Sequence, residues 1–132
     1  MTLLGFAAAV TSAFNLVCTG TITTNSMFVK DKVEAYTSTY RVDLASRKWC
    51  DGECKALHPI HEVQPAFLVL DEPKDVDTAT EHELFRSEIS RETGRQTMIS
   101  QTGRGDEILL MKWSGQCERA PFGGFPKLTT KF

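Results

Sequence analysis

The four cysteines limit what this chain can fold into more than any other feature. Cys18 lies near its start, Cys117 near its end, and Cys50 and Cys54 enclose the short stretch "DGE". Four cysteines allow three disulfide pairings, and the patterning around each selects among them. "FNLVCTGTI" (residues 14–22) alternates with a period of two: Phe14, Leu16, Cys18, Gly20 and Ile22 share one face, and Asn15, Val17, Thr19 and Thr21 the other. "EILLMKWSGQC" (residues 107–117) does the same, with Leu109, Met111, Trp113, Gly115 and Cys117 together. Successive strand residues point to opposite sides of a sheet, so both distant cysteines belong to apolar faces and to one core. Cys50 and Cys54 fall instead in the polar run "RKWCDGECK". Pairing Cys18 with Cys117 and Cys50 with Cys54 satisfies both environments, whereas a crossed pairing drags the polar loop into the core.

The two bridges differ in weight. Chain-entropy arithmetic gives about 4.7 kcal/mol for a loop of about 100 residues and roughly 2 kcal/mol for one of about five. The long bridge holds the fold closed; the short one fixes a turn that Asp51 and Gly52 bend. Other cysteine chemistry fits less well. A four-cysteine zinc site uses two C-x-x-C pairs or a related spacing, and a redox pair uses C-x-x-C at a helix start near a βαβ unit. Neither pattern occurs here.

The rest of the chain reads as strands and turns. "VEAYTSTYRVDL" (residues 33–44) places Tyr36, Tyr40, Val42 and Leu44 on one side and Thr37, Thr39, Arg41 and Asp43 on the other. "AFLVL" (residues 66–70) is a short apolar run of central-strand length. "ELFRSEISRETGRQTMIS" (residues 83–100) reads as a hairpin: Phe85, Ser87 and Ile89 alternate in one arm, "ETGR" turns, and Thr97 and Ile99 continue in the other. "TGRGD" makes the next turn, and the Gly- and Pro-rich end "APFGGFPKLTTKF" wraps the surface. One short helix is the most the pattern supports, near residues 75–87, where Thr78 and Glu81 match a capping box. The expected fold is all-β: a small antiparallel barrel or sandwich of about six to eight short strands, stapled by disulfides.

The first 13 residues, "MTLLGFAAAVTSA", carry no charge and end in small residues, with Thr11 and Ala13 at the −3 and −1 positions of a cut before Phe14. This is the pattern of a secretory signal without its basic start; the competing reading is an apolar first strand or helix of the domain. Residues 1–13 as a signal leave residues 14–132 as a single β domain, periplasmic or secreted, where disulfides persist. No apolar stretch reaches the ~20 residues of a membrane-spanning helix. Among 132 residues with a net charge of −2, no basic run offers a footprint for nucleic acid. The acidic stretch "DEPKDVDTATEHE" (residues 71–83) reads as a solvated loop.

Few residues suggest chemistry. "HPIHE" sets His58 and His61 three apart with Glu62 adjacent, a weak metal or catalytic set that Pro59 keeps off a helix. His82 stands alone. No glycine-rich phosphate loop, G-x-S-x-G or H-E-x-x-H appears, so no cofactor and no catalytic residue is expected. "RGD" at residues 104–106 is short enough to arise by chance and makes a turn on its own. Trp49, beside Cys50 in a polar loop, either packs on the short staple or stands out as a binding anchor.

"FNLVCTGT", "YRVDL", the C-x-x-x-C loop and "C-x-x-x-PFGGFP" together resemble a small exported bacterial β-protein family of unassigned function, over most of residues 14–132. At the level of architecture the chain is also similar to small periplasmic barrels that inhibit lysozyme, which begin with a cysteine-bearing strand and close with a late cysteine. A stapled β-domain with no catalytic constellation favours an exported, non-enzymatic periplasmic or secreted binding or inhibitor-type module, with a protein partner in the cell envelope. The alternative is a metal-binding protein or enzyme using His58, His61 and Glu62.

Overall fold

Ten strands make up all the regular secondary structure in the computed structural model, which describes residues 12–127. They are β1 (Ala13–Asn25), β2 (Lys32–Asp43), β3 (Lys48–Asp51), β4 (His58–Pro59), β5 (Glu62–Val63), β6 (Phe67–Val69), β7 (Lys74–Asp77), β8 (His82–Ser90), β9 (Arg95–Arg104) and β10 (Glu107–Ala120). All pair antiparallel in one sheet of order β4-β3-β2-β1-β10-β9-β8-β6-β5. β6 and β7 share one edge of β8, β6 against its end and β7 against its start.

The sheet curls until its two edges meet in the chain. β4 and β5 are halves of one extended segment, residues 58–63; its first half pairs with β3 and its second with β6. The ladders run on across the joint: the Ile60 amide donates to Arg47 O (3.0 Å) and the His61 amide to Leu70 O (3.1 Å). From β3, the Trp49 indole Nε1–H also donates to Leu70 O (3.2 Å). Edge strands that would otherwise offer unpaired backbone are thus tied together by six residues. The result is a half-barrel drawn closed at this end and open at the other.

The core fills the closed end. Phe14, Leu16 and Cys18 of β1 pack with Val42, Trp49, Ile60, Leu68, Ile89 and Cys117, the faces the alternation assigns to β1, β2 and β10. The register sets Cys18 opposite Cys117, and the two form a disulfide with their Cα atoms 3.9 Å apart. Two residues further along, Gly20 faces Gly115. A Cβ on Gly20 would strike the backbone of Ser114 and Gly115, and one on Gly115 would strike the Tyr36 hydroxyl and the Thr19 carbonyl. The glycines therefore form a trough across two strands. Along it Tyr36 reaches from β2 to β9, where its hydroxyl donates to Gln96 Oε1 (2.7 Å); Gln96 Nε2 donates to the Tyr40 hydroxyl (3.0 Å). Gln96 is 2 % exposed, and its amide is satisfied by the two phenols, as a buried polar group requires.

The second disulfide joins Cys50 and Cys54. Both cysteines are buried, apart from the main core, and Cys50 belongs to β3 and not to a free loop. Asp51 turns the chain: its backbone O and its Oδ1 both accept from the Cys54 amide. Arg41, opposite Cys50, donates to Gly52 O and to Gly124 O, while Asn15 Oδ1 accepts from the Gly123 amide. These bonds hold Gly123 and Gly124 of the Gly- and Pro-rich end against the outer face of β1 and β2. The proposed signal boundary falls at the first residues of β1, and residues 1–11 lie outside those described.

The all-β architecture with at most one short helix is as expected, and three details refine it. The strands outnumber the six to eight expected because β4, β5 and β6 hold two or three residues each, too few for alternation to register. No helix forms near residues 75–87. Thr78 and Glu81 do bond as in a capping box, with the Glu81 amide donating to Thr78 Oγ1 (3.0 Å). The Thr78 amide also donates to Glu81 O (2.8 Å), which closes the hairpin turn between β7 and β8. In the β8–β9 hairpin, Thr97 and Ile99 do not continue the face of Phe85, Ser87 and Ile89. Ile89 pairs with Gln96 and Ser87 with Met98, so the inward residues of β9 are even-numbered. The turn length sets this parity: the Gly94 amide donates to Ser90 O and its φ is +79°.

The trough makes two linked predictions, both read from urea unfolding. At neutral pH Gly115→Ala loses about 1–3 kcal/mol, because the added methyl displaces Tyr36. Burial, with Tyr40 adding to it, pushes the Tyr36 phenol above its ordinary value. A phenol raised on folding contributes stability that is whole below the unfolded value, about 10, and is lost as pH rises through the folded value. Wild type should thus lose stability on that alkaline limb more steeply than Tyr36→Phe.

Candidate functional site

His58, His61 and Glu62 do not come together. On an extended chain residues three apart face opposite sides. His58 stacks on Trp49 with ring centroids 4.9 Å apart, His61 is exposed, and Glu62 accepts from Gln64 Nε2 (3.2 Å). Among the described residues no three His, Cys, Asp or Glu side chains are placed to hold a metal ion. Trp49 is 6 % exposed, with Tyr40 edge-on at 6.0 Å. Its position in β3 turns it into the core, so it is a packing residue and not the exposed anchor considered from the sequence. The "RGD" tripeptide forms the β9–β10 turn, with Gly105 at φ +57°. The Asp71 carboxyl is raised by partial burial, against which His58 and Lys74 act.

The unexplained surface is at the open end. There the turn between β1 and β2, residues 26–31, displays Phe28 at 85 % exposure beside Met27 at 58 %. The turn is held by its own side chains. Ser26 Oγ accepts from the amides of Phe28 (3.2 Å) and Val29 (3.1 Å), and Asn25 Oδ1 accepts from the Asp31 amide (2.8 Å). The Ser26 amide donates to Val29 O (2.6 Å), and Asp31 takes a positive φ of 51°. Such local bonds compete with water for the backbone and fix a turn. Phe28 forfeits the roughly 1.5–3 kcal/mol that burying such a side chain contributes, while its backbone stays ordered.

Between this tip and the ends of β8, β9 and β10 lies a groove of about 430 Å³. Phe28, Met27, Ile108 and Leu109 give it apolar walls, Glu81, Glu83, Glu107 and Arg104 charge it, and His82 also lines it. Three carboxylates face one guanidinium, so the groove favours a cationic occupant. Glu83 also holds Lys74 at 3.5 Å, and Asp77 lies 3.6 Å from His82 Nδ1. His82 Nε2 is buried and has no hydrogen-bond partner among the described residues. Exposed apolar side chains gathered around a groove and rimmed by polar ones mark interaction surfaces.

Comparison with known protein families, with curated proteins and with solved structures finds no match to the chain. The surface itself therefore carries the functional reading. Its key residue drew no reading from the sequence, since residues 26–31 carry no alternation and no motif. The available signal was three consecutive apolar residues, Met27, Phe28 and Val29, where a turn prefers polar ones.

The two aromatic residues should respond in opposite ways. Trp49→Ala should cost about 3–5 kcal/mol in urea unfolding, and Phe28→Ser should stay within about 0.5 kcal/mol of wild type.

Proposed function

We propose that the protein is an exported, non-enzymatic binding module that engages a protein partner through the open end of its half-barrel. The observation that carries this reading is Phe28: a large aromatic, 85 % exposed, on a turn whose hydrogen bonds fix its conformation before any partner arrives. An anchor ordered in advance lowers the entropic cost of association, and aromatic side chains dominate binding energy at protein interfaces. The carboxylates of Glu81, Glu83 and Glu107 beside it suit a basic partner.

Two disulfides, and no free cysteine among the described residues, fit an oxidising compartment. No helix among those residues is long and apolar enough to cross a membrane. With residues 1–13 acting as the secretory signal of a bacterial protein, the place of action is the periplasm or the cell exterior. The partner is then a cationic protein of the envelope, and an inhibitory role against a wall-cleaving hydrolase such as lysozyme fits the sign of the groove.

The experiment is a binding titration of lysozyme against the oxidised protein, run beside differential capture from an envelope extract on wild-type and Phe28→Ser columns. The expected result is saturable binding that weakens with added salt and falls at least about tenfold in Phe28→Ser. If lysozyme does not bind, a basic protein retained by wild type and lost from Phe28→Ser keeps the reading. No difference between the columns overturns it.

A further inference from the structure

One long edge of the sheet is open. β1 pairs with β2 along Lys32–Asp43, but β3 covers the other side of β2 only from Tyr40 to Asp43. Among the described residues no strand lies against the rest of that side, residues 32–39. The Cys18 and Cys117 Cα atoms, 3.9 Å apart, mark a narrow pair of the antiparallel ladder, one whose two residues do not bond each other. Cys18 therefore directs its amide and carbonyl to β2, where it faces Ser38. Bonding alternates along a strand, so the even-numbered residues of β2 bond β1 and the odd-numbered ones face outward. The Leu44 amide keeps this phase by donating to Ser12 O (2.8 Å). Val33, Ala35 and Thr37 thus hold their amides and carbonyls out to a further strand.

Charged side chains and prolines usually guard such edges. β7, paired only with β8, follows that rule, with Lys74, Asp75 and Asp77 among its four residues. The outward residues of β2 are uncharged and Val33 is 60 % exposed, while the charges of Lys32 and Glu34 pair with each other at 3.0 Å.

The edge is also complementary to itself. In two antiparallel copies related by a two-fold axis, outward-bonding residues must meet outward-bonding residues. With Ala35 opposite Ala35 of the second copy, Val33 meets Thr37, Glu34 meets Tyr36 and Lys32 meets Ser38. Every open residue then exchanges two hydrogen bonds with its opposite number. Neighbouring registers fail. The Cys50–Cys54 turn sits beside Thr39, where a Cβ on Gly52 would lie 3.8 Å from the Thr39 side chain. Sliding two residues one way drives the second copy's turn onto Val33. Sliding the other way sets Thr37 against Asp31, outside the strand at a φ of 51°. In the register centred on Ala35 that turn comes beside Asp31, and brings Asp51 and Glu53 to the flanking Lys30 and Lys32.

We propose that two copies of the chain join through this edge, β2 to β2 about Ala35, in a reversible two-fold dimer with one continuous sheet. Neither Phe28 nor the carboxylate groove takes part in the ladder, so this reading and the binding reading stand or fall separately. A ladder of this length buries less than a permanent interface, and assembly should depend on concentration.

The test is sedimentation equilibrium of the oxidised full chain up to about 1 mM, which populates even a weak dimer. Wild type should approach twice the monomer mass. Ala35→Lys and Ala35→Glu each set like charges face to face across the axis and should each weaken association about fivefold. Mixed in equal amounts they should recover it, because Lys then faces Glu. Ala35→Pro removes an amide that bonds nothing in the monomer, as edge strands tolerate, and should weaken association without any added charge. A monomer across the whole range overturns the proposal. So does association that persists in all three variants, that the mixture fails to recover, or that Phe28→Ser alone abolishes.

Discussion

The fold depends on how closely β1 and β10 approach each other. Gly20 and Gly115 face each other without side chains, and Cys18 and Cys117 are bonded across the same seam two residues away. β1 and β10 are central strands with neighbours on both sides, so the seam fixes the middle of the sheet. Tyr36 exploits the vacated space to reach Gln96, four strands being linked in one row. A side chain at Gly115 would break this link, and Gln96 Oε1 would lose its partner while Nε2 kept its bond to Tyr40.

From that seam the molecule divides into two ends with different physics. At one end the segment of residues 58–63 ties the outermost strands together and the core is buried. At the other, β1, β2, β8, β9 and β10 run on past the core, and Val33 and Phe28 stand in solvent. The first end provides the stability. The second spends part of it on an ordered, exposed aromatic and a field of carboxylates. Such separation lets a binding surface vary without loss of the scaffold.

The sequence revealed what alternation and chemistry could encode. Strand faces in β1, β2 and β10 were legible because each runs for a dozen residues or so with one side apolar. The disulfide pairing followed from those faces. The joint at residues 60 and 61 was not legible, since β4 and β5 are too short to show a period. Gln96 was hidden because a buried amide looks polar in sequence, and its partners, Tyr36 and Tyr40, lie some sixty residues earlier. Trp49 misled through its polar neighbours: burial there comes from the tertiary joint with Leu70 and His58, which no local pattern announces. Phe28 drew no reading from the sequence, because its stretch shows no alternation and no motif; its exposure in the folded chain is what marks it.

The division into a closed, stabilising end and an open, displaying end is tested most directly by native-state hydrogen exchange on the oxidised full chain. Amides of Leu16, Cys18, Val42, Gln96 and Cys117 should exchange only through global unfolding, while those of β7 and the Met27–Val29 turn should exchange through local opening at much lower free energy. Equal protection of both ends, or slower exchange at the Phe28 turn than around Cys18 and Cys117, would contradict this account.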